Sequence, residues 1–400
     1  MSAPISTLAK AASVPPLPIL LCLSHLRWDF VFQRPQHLMT RAAAGQYQVV
    51  FFEEPLSAAP GDGDAPGLDL RRSPEGVLLA TPRLPPGLDA EAADAAQRSV
   101  LDELLTTLAA PLAVSWFYTP MALALAGHLR PAVTVYDCMD ELSLFRGASP
   151  RLALLERQLL KRADLVFTGG RSLHAAKSRL HPQAHLFPSS VDATHFGRAR
   201  FLEEPEPSDQ AGLGRPRIGF FGVLDERMDY ALLDAVAAAR PEWQLVMLGP
   251  TAKINPAALP RRPNLHWFGM KAYADLPAYL AGWNAGLMPF ALNEATRFIS
   301  PTKTPEFLAA GVPLVSTSVP DVVSDWQPGG LVEIADGPAA IVAAIETLLS
   351  RPPQPWLARV DQSLRWLSWD ATWERMQRLI QDTARGAQHS TASARETPHV

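Results

Sequence analysis

The chain has 400 residues, 48% hydrophobic and 19% charged, with a formal charge of -4. That is room for two or three domains with real cores, and the charge gives no electrostatic footprint for wrapping nucleic acid, so no nucleic-acid partner is expected. Cys22 and Cys138, the two cysteines, sit in apolar surroundings, which argues against a disulfide framework or a cysteine-built zinc site and fits a cytoplasmic setting.

Residues 1–15 are small and polar, the composition of a flexible leader. The apolar run at 17–23 is far too short to span a bilayer and lacks signal-peptide flanks, so it reads as a first strand leading to a helix near Pro35. Further strands are predicted at 48–52, 77–80, 112–117 and 133–136, separated by helical segments. The Gly-, Asp- and Pro-rich stretch 60–67 contains Asp62 and Asp64, but such an acidic pair in a turn composition reads as a solvated loop and implies no metal. A helix at 156–163, a strand at 164–168, a helix from Ser172 and a strand at 185–188 close a first domain spanning 16–199.

Residues 200–216 are polar and aperiodic, a linker composition. Its Gly212 and Gly214 precede the next strand instead of following one, so they are no dinucleotide fingerprint. A second domain, 217–365, again alternates: strands at 217–224, 244–249, 264–269, 285–290, 313–317 and 330–335, with helices at 230–239, 276–283 and 339–349. Residues 366–385 are predicted to be a helix that crosses back to the first domain, with Trp356, Trp366, Trp369 and Trp373 as packing residues, and 386–400 a disordered tail.

The segment 300–317, SPTKTPEFLAAGVPLVST, carries the most chemistry. A helix start exposes unpaired amides and partial positive charge, Lys303 adds a full charge, and Glu306 follows within a turn, so the segment suits a pyrophosphate. Two starts fit the prolines: Ser300 as N-cap with Pro301 at N1, or Thr304 as N-cap with Pro305 at N1. The second is favoured because Pro305 deeper inside the helix would cost a hydrogen bond.

Two segments of the first domain concentrate polar groups at strand ends. In 136–141, Asp137 or Asp140 suits a general base facing the cleft, and equally Asp137 suits a loop brace and Asp140 a helix cap. In 24–37, His25, Arg27 and Trp28 are candidates for lining a cleft, whereas Arg34 and His37 read as surface helix residues.

The 300–317 block, RIGFFGVLDERMD at 217–229, and ERQLLKRADLVFTGGRSL with HLFPSSVDATHF at 156–173 and 185–196 together resemble family-4-like glycosyltransferases of the GT-B fold. The resemblance implies an α/β protein of two doubly wound Rossmann-like domains facing an interdomain cleft. Its implied activity is hexosyl transfer from a nucleotide diphosphate sugar to a hydroxyl of a glycan, a lipid-linked or a small acceptor, as in polysaccharide biosynthesis. No cofactor and no metal is implied, and peripheral membrane contact would suit a lipid-linked acceptor.

By the same resemblance Glu306 contacts the ribose, Lys303 and Arg227 the diphosphate with Ser300 and Thr302 beside it, and Gly222 lets the backbone approach the phosphates. Gly249 and Phe268 would border the base together with Trp267, which equally suits the core. Family 4 commonly has a second glutamate eight positions earlier, where this chain has Phe298. Two other readings share the architecture: a nucleotide-sugar epimerase, and a non-catalytic nucleotide-sugar binding protein.

Overall fold

A computed structural model describes residues 16–58, 65–203 and 205–395. The expected leader, the Asp62 to Asp64 turn and the last tail residues lie outside them. Near-continuous runs of Leu, Val and Phe flanked by turn residues become strands buried on both faces. In the first half they form a sheet ordered Leu56–Ser57, Leu78–Leu84, Gln48–Phe52, Ile19–Leu23, Leu112–Phe117, Val133–Cys138, Leu165–Thr168 and Ala184–Leu186. All of these pairings are parallel. One strand missing from the sequence expectations, Gly67–Arg72, adds antiparallel to Leu78–Leu84, as a hairpin closed through Gly76 requires.

The second sheet is wholly parallel, ordered Leu265–Trp267, Gln244–Leu248, Arg217–Phe221, Ala285–Met288, Leu314–Ser316 and Val332–Ile334. In each sheet the strand order reverses beside the first strand, and ligands of open α/β sheets bind beyond the carboxyl ends at such a reversal. Those ends are Leu23, leading to His25, and Phe221, leading to Gly222.

The final helix, Trp369–Arg395, places Trp369, Trp373, Met376 and Ile380 on one stripe, and all four are buried against Cys22, Trp116 and Phe167 of the first sheet. The chain thus returns to the first half, beside the outgoing crossing: Ser190 Oγ and Thr372 Oγ1 are 2.7 Å apart and Val191 bridges Ser368. Two expectations need correction here. The tail expected to be disordered from 386 is helical as far as Arg395, and Trp366, in the turn between the helices Pro353–Leu364 and Trp369–Arg395, is 79% exposed.

The two halves also touch across the cleft. Asp321, on the helix Pro320–Trp326, accepts from the Ser172 backbone N–H at 3.0 Å and from the Ser172 hydroxyl, while Arg171 pairs with Asp325. The Arg146 backbone N–H donates to Glu226 at 2.8 Å.

Candidate functional site: a three-chambered cleft

On the second-half wall, Gly222 follows the strand Arg217–Phe221 at φ +145° and Gly249 follows Gln244–Leu248 at φ +137°. A Cβ on Gly249 would lie 1.7 Å from the Gly222 carbonyl oxygen, so two strand exits approach more closely than side chains allow. They form the floor of a cavity of about 360 Å³ bounded by Phe221, Pro250, Met270, Tyr273 and Lys303 and covered from the first half by Trp28 and Phe30.

Gly222 and Lys303 are shared with a second chamber of about 110 Å³, whose other polar lining is Gln33, Arg34, Asp140, Ser189, Arg227, Ser300 and Thr302. Asp140 and Arg227 are in turn shared with a third chamber of about 470 Å³ that holds His25, Glu54, Phe145 and Lys253. The chambers therefore run in series: an apolar one, a small cationic one, and a larger polar one.

The helix beside the middle chamber spans Lys303–Ala309, so neither expected cap is the one used. Thr302 precedes it without a side-chain cap, and Pro305 stands third, within the first turn, whose N–H groups have no intrahelical partner in any case. Lys303 Nζ reaches Glu306 Oε2 at 3.1 Å and Thr302 Oγ1 at 3.3 Å, and lies 5.1 Å from the Phe221 ring centroid. Glu306 is only 3% exposed; burial raises its carboxyl while Lys303 pulls it back down. It sits behind Lys303 and does not line the chambers itself.

Arg227 is held by a fork of hydrogen bonds to Asp225, the shortest 2.7 Å, with its guanidinium 5.6 Å from the Phe145 ring of the opposite half. Asp140 faces it, and burial raises the Asp140 carboxyl, opposed by Arg227 and reinforced by Asp225. His25 is pushed down to about 4 by burial and by the charge of Lys253, against a hydrogen bond to the Tyr118 backbone. Its Nδ1 is buried with no partner among the described residues. A neutral imidazole with a free ring nitrogen is an acceptor for a hydroxyl.

The structure overturns several expectations. Asp137 is fully buried and clamped by Arg34, with Nε to Oδ2 at 3.0 Å and Nη2 to Oδ1 at 2.8 Å, while Arg34 Nη1 donates to the Phe187 carbonyl at 2.7 Å. It is a brace and cannot serve as base, because its oxygens are committed to a cation out of reach of solvent. Arg34 and His37 are accordingly core residues; His37 stacks on Trp369 at 4.7 Å and is pushed down to about 3 by burial, Arg41 and Lys303. Arg27 is tied to Glu53 at 3.4 Å, and Trp28 belongs to the apolar chamber, edge-on to Phe51. Phe268 and Trp267 stay outside the cleft: Phe268 faces His266 and Lys271, and the Trp267 indole donates to the Pro260 carbonyl. Phe298, at the position of the first of the two family glutamates, packs on the core of the first half.

Tyr273, Phe145, Glu54 and Lys253 line the cleft without having been picked out from the sequence. A short aromatic-and-basic signal at 270–273 was the only pointer to Tyr273.

Residues 215–351 match the family described as Glycosyl transferases group 1. The fold is GT-B. Sucrose-phosphate synthase from Thermosynechococcus elongatus superposes with a TM-score of 0.63 at 17% identity, over 92% of this chain and 98% of that one. Anabaena Alr3699/HepE, solved with UDP and glucose, gives 0.64 at 13% identity over 90% and 99%. Starch Synthase IV from Arabidopsis thaliana, solved with ADP and acarbose, gives 0.65 at 9% identity over 92% and 100%. In sequence, the chain is 26% identical over 235 residues to TuaH of Bacillus subtilis (strain 168), whose name assigns it provisionally to teichuronic acid biosynthesis as a glycosyltransferase. That alignment covers 54% of this chain and 58% of TuaH. The GT-B architecture expected from the sequence motifs is therefore the one observed.

Proposed function

We propose that this chain transfers a hexosyl group from a nucleotide diphosphate sugar to an acceptor hydroxyl. The observation that carries the reading is the serial order of the three chambers, which matches nucleoside, diphosphate with sugar, and acceptor. The nucleoside lies on Phe221 and over the Gly222 and Gly249 exits, where the apolar lining suits a base. The diphosphate meets Lys303, Arg227, Ser300, Thr302 and the free amides of the helix start. The matched Anabaena and Arabidopsis structures contain a nucleoside diphosphate, which supports a ligand of that class.

As the bond between the anomeric carbon and the diphosphate oxygen breaks, negative charge grows on the leaving oxygen, and prepositioned cations there stabilise the transition state. These groups do the work asked of a divalent ion elsewhere, so no resident metal is assigned. The acceptor hydroxyl approaches from the third chamber, and Asp140 takes its proton; the raised carboxyl is a better base than an ordinary aspartate. The acceptor is a glycan, small or lipid-linked; no helix among the described residues is long and apolar enough to cross a membrane, so a lipid-linked one would require contact at the cytoplasmic membrane surface.

Melting shifts with uridine, guanosine and thymidine diphosphate sugars test the donor site. One of them should stabilise the protein, and Lys303→Ala should weaken that binding roughly 10- to 100-fold, the loss expected for charged hydrogen bonds. Unchanged affinity would refute the assignment. Product formation that requires an acceptor and survives a chelator would separate transfer from epimerisation and from silent binding.

A further inference from the structure

A fourth cavity opens off the acceptor end of the cleft. It encloses about 370 Å³, within the range of small-molecule sites, and shares Glu54, Thr119 and Met121 with the third chamber. It is lined by Leu23 and Phe52, the last residues of the strands Ile19–Leu23 and Gln48–Phe52, and by Asp94 and Gln97 of the helix Ala90–Leu108. It therefore lies where the first sheet reverses its strand order, as the apolar chamber does on the second sheet. Building on the transfer reading above, we propose that this cavity is a second acceptor subsite: the acceptor is a saccharide of at least two rings, with the reacting ring in the third chamber and the next, uncharged ring here.

The hydrogen-bonding groups point to that chemistry. Glu53 is committed to the Trp28 backbone N–H at 2.8 Å and the Thr81 hydroxyl at 2.6 Å, and Asp94 to Arg151 at 2.5 Å. Gln97 Nε2 donates to the Ala93 carbonyl at 3.2 Å, which leaves its Oε1 without a donor among the described residues. Glu54, at the junction of the two cavities, has no hydrogen bond or ion pair among them either. Both free groups accept, and among the described residues no lysine or arginine lines the fourth cavity. A neutral ring supplies the matching hydroxyl donors, whereas a phosphate or carboxylate there would face Glu54 with no cation to balance it. Phe52, Met121 and Leu125 offer apolar surface to the C–H face of such a ring.

The diphosphate sugar that shifts the melting temperature most serves as donor, at saturation. Transfer from it is compared between the methyl glycosides of glucose, galactose, mannose and N-acetylglucosamine and the disaccharides cellobiose, lactose, mannobiose and chitobiose, each of which ends in one of those rings. For at least one pair kcat/KM should be roughly 10- to 100-fold higher for the disaccharide, the gain expected from hydrogen bonds to a charged group made away from the reacting centre. That ratio should drop about 10-fold in Gln97→Ala, and equally in Glu54→Ala, a second variant at an exposed position. A ratio near one for every pair, no transfer to any of these sugars, or a preference that both variants retain would overturn the second subsite while leaving the donor site standing. If no diphosphate sugar shifts the melting temperature, the donor-site reading itself fails and the subsite falls with it.

Discussion

The second-half wall of the cleft is shaped by main chain: Gly222 and Gly249 bring two strand exits together, and the cations beside them are Arg227, from the loop after the first exit, and Lys303, at the start of the helix Lys303–Ala309. The first-half wall is shaped by side chains: Arg34 and the wholly buried Asp137 lock a helix to a strand, Arg34 borders the middle chamber, and Asp140, three residues on from Asp137, reaches both the middle and the third. One wall owes its form to absent Cβ atoms, the other to a buried ion pair. Mutation should therefore disable them differently, the first by obstruction and the second by unfolding.

The largest expected effect on stability lies in the ion pair. Arg34→Ala leaves the Asp137 carboxylate buried and unpaired, which should cost about 3–5 kcal/mol in urea unfolding. The double replacement Arg34→Met with Asp137→Leu should recover most of that loss, because a packed apolar pair removes both desolvation costs. If Arg34→Ala is near neutral, the contrast between the walls is wrong. Next comes Gly249→Ala, which combines a Cβ overlap with the Gly222 carbonyl and a backbone angle that L residues avoid. A loss of about 2–4 kcal/mol is expected, with nucleotide binding abolished even where the variant still folds.

The same contrast explains what was legible in the sequence. Strand exits could be read because hydrophobic runs end in Gly222 and Gly249 within a few residues, and the helix carrying Lys303 and Glu306 follows a proline-marked start. Only its register was missed, since Pro305 is tolerated anywhere in a first turn. Arg34 and Asp137 lie 103 residues apart, and nothing local distinguishes an arginine bound for the core from one on a helix surface. Tyr273 and Phe145 reach the cleft because the halves close on each other, a relation that periodicity within either half does not encode.

Asp140→Asn carries the smallest stability change and the sharpest test of the first-half wall. Burial raises the Asp140 carboxyl, so its charged form is disfavoured in the folded protein relative to the unfolded chain. That penalty is present in full above the raised value and disappears as pH falls toward the ordinary aspartate range. The isosteric amide removes the charge, so at neutral pH the variant should be more stable by about 1 kcal/mol, a gain that vanishes in acid. Turnover should meanwhile fall by roughly 100- to 10,000-fold, the contribution of a positioned base. In the wild type the acid limb of the rate profile should sit above the range of an ordinary aspartate, and the variant should lack that limb. A stable Asp140→Asn that keeps wild-type turnover would move the base elsewhere on this wall.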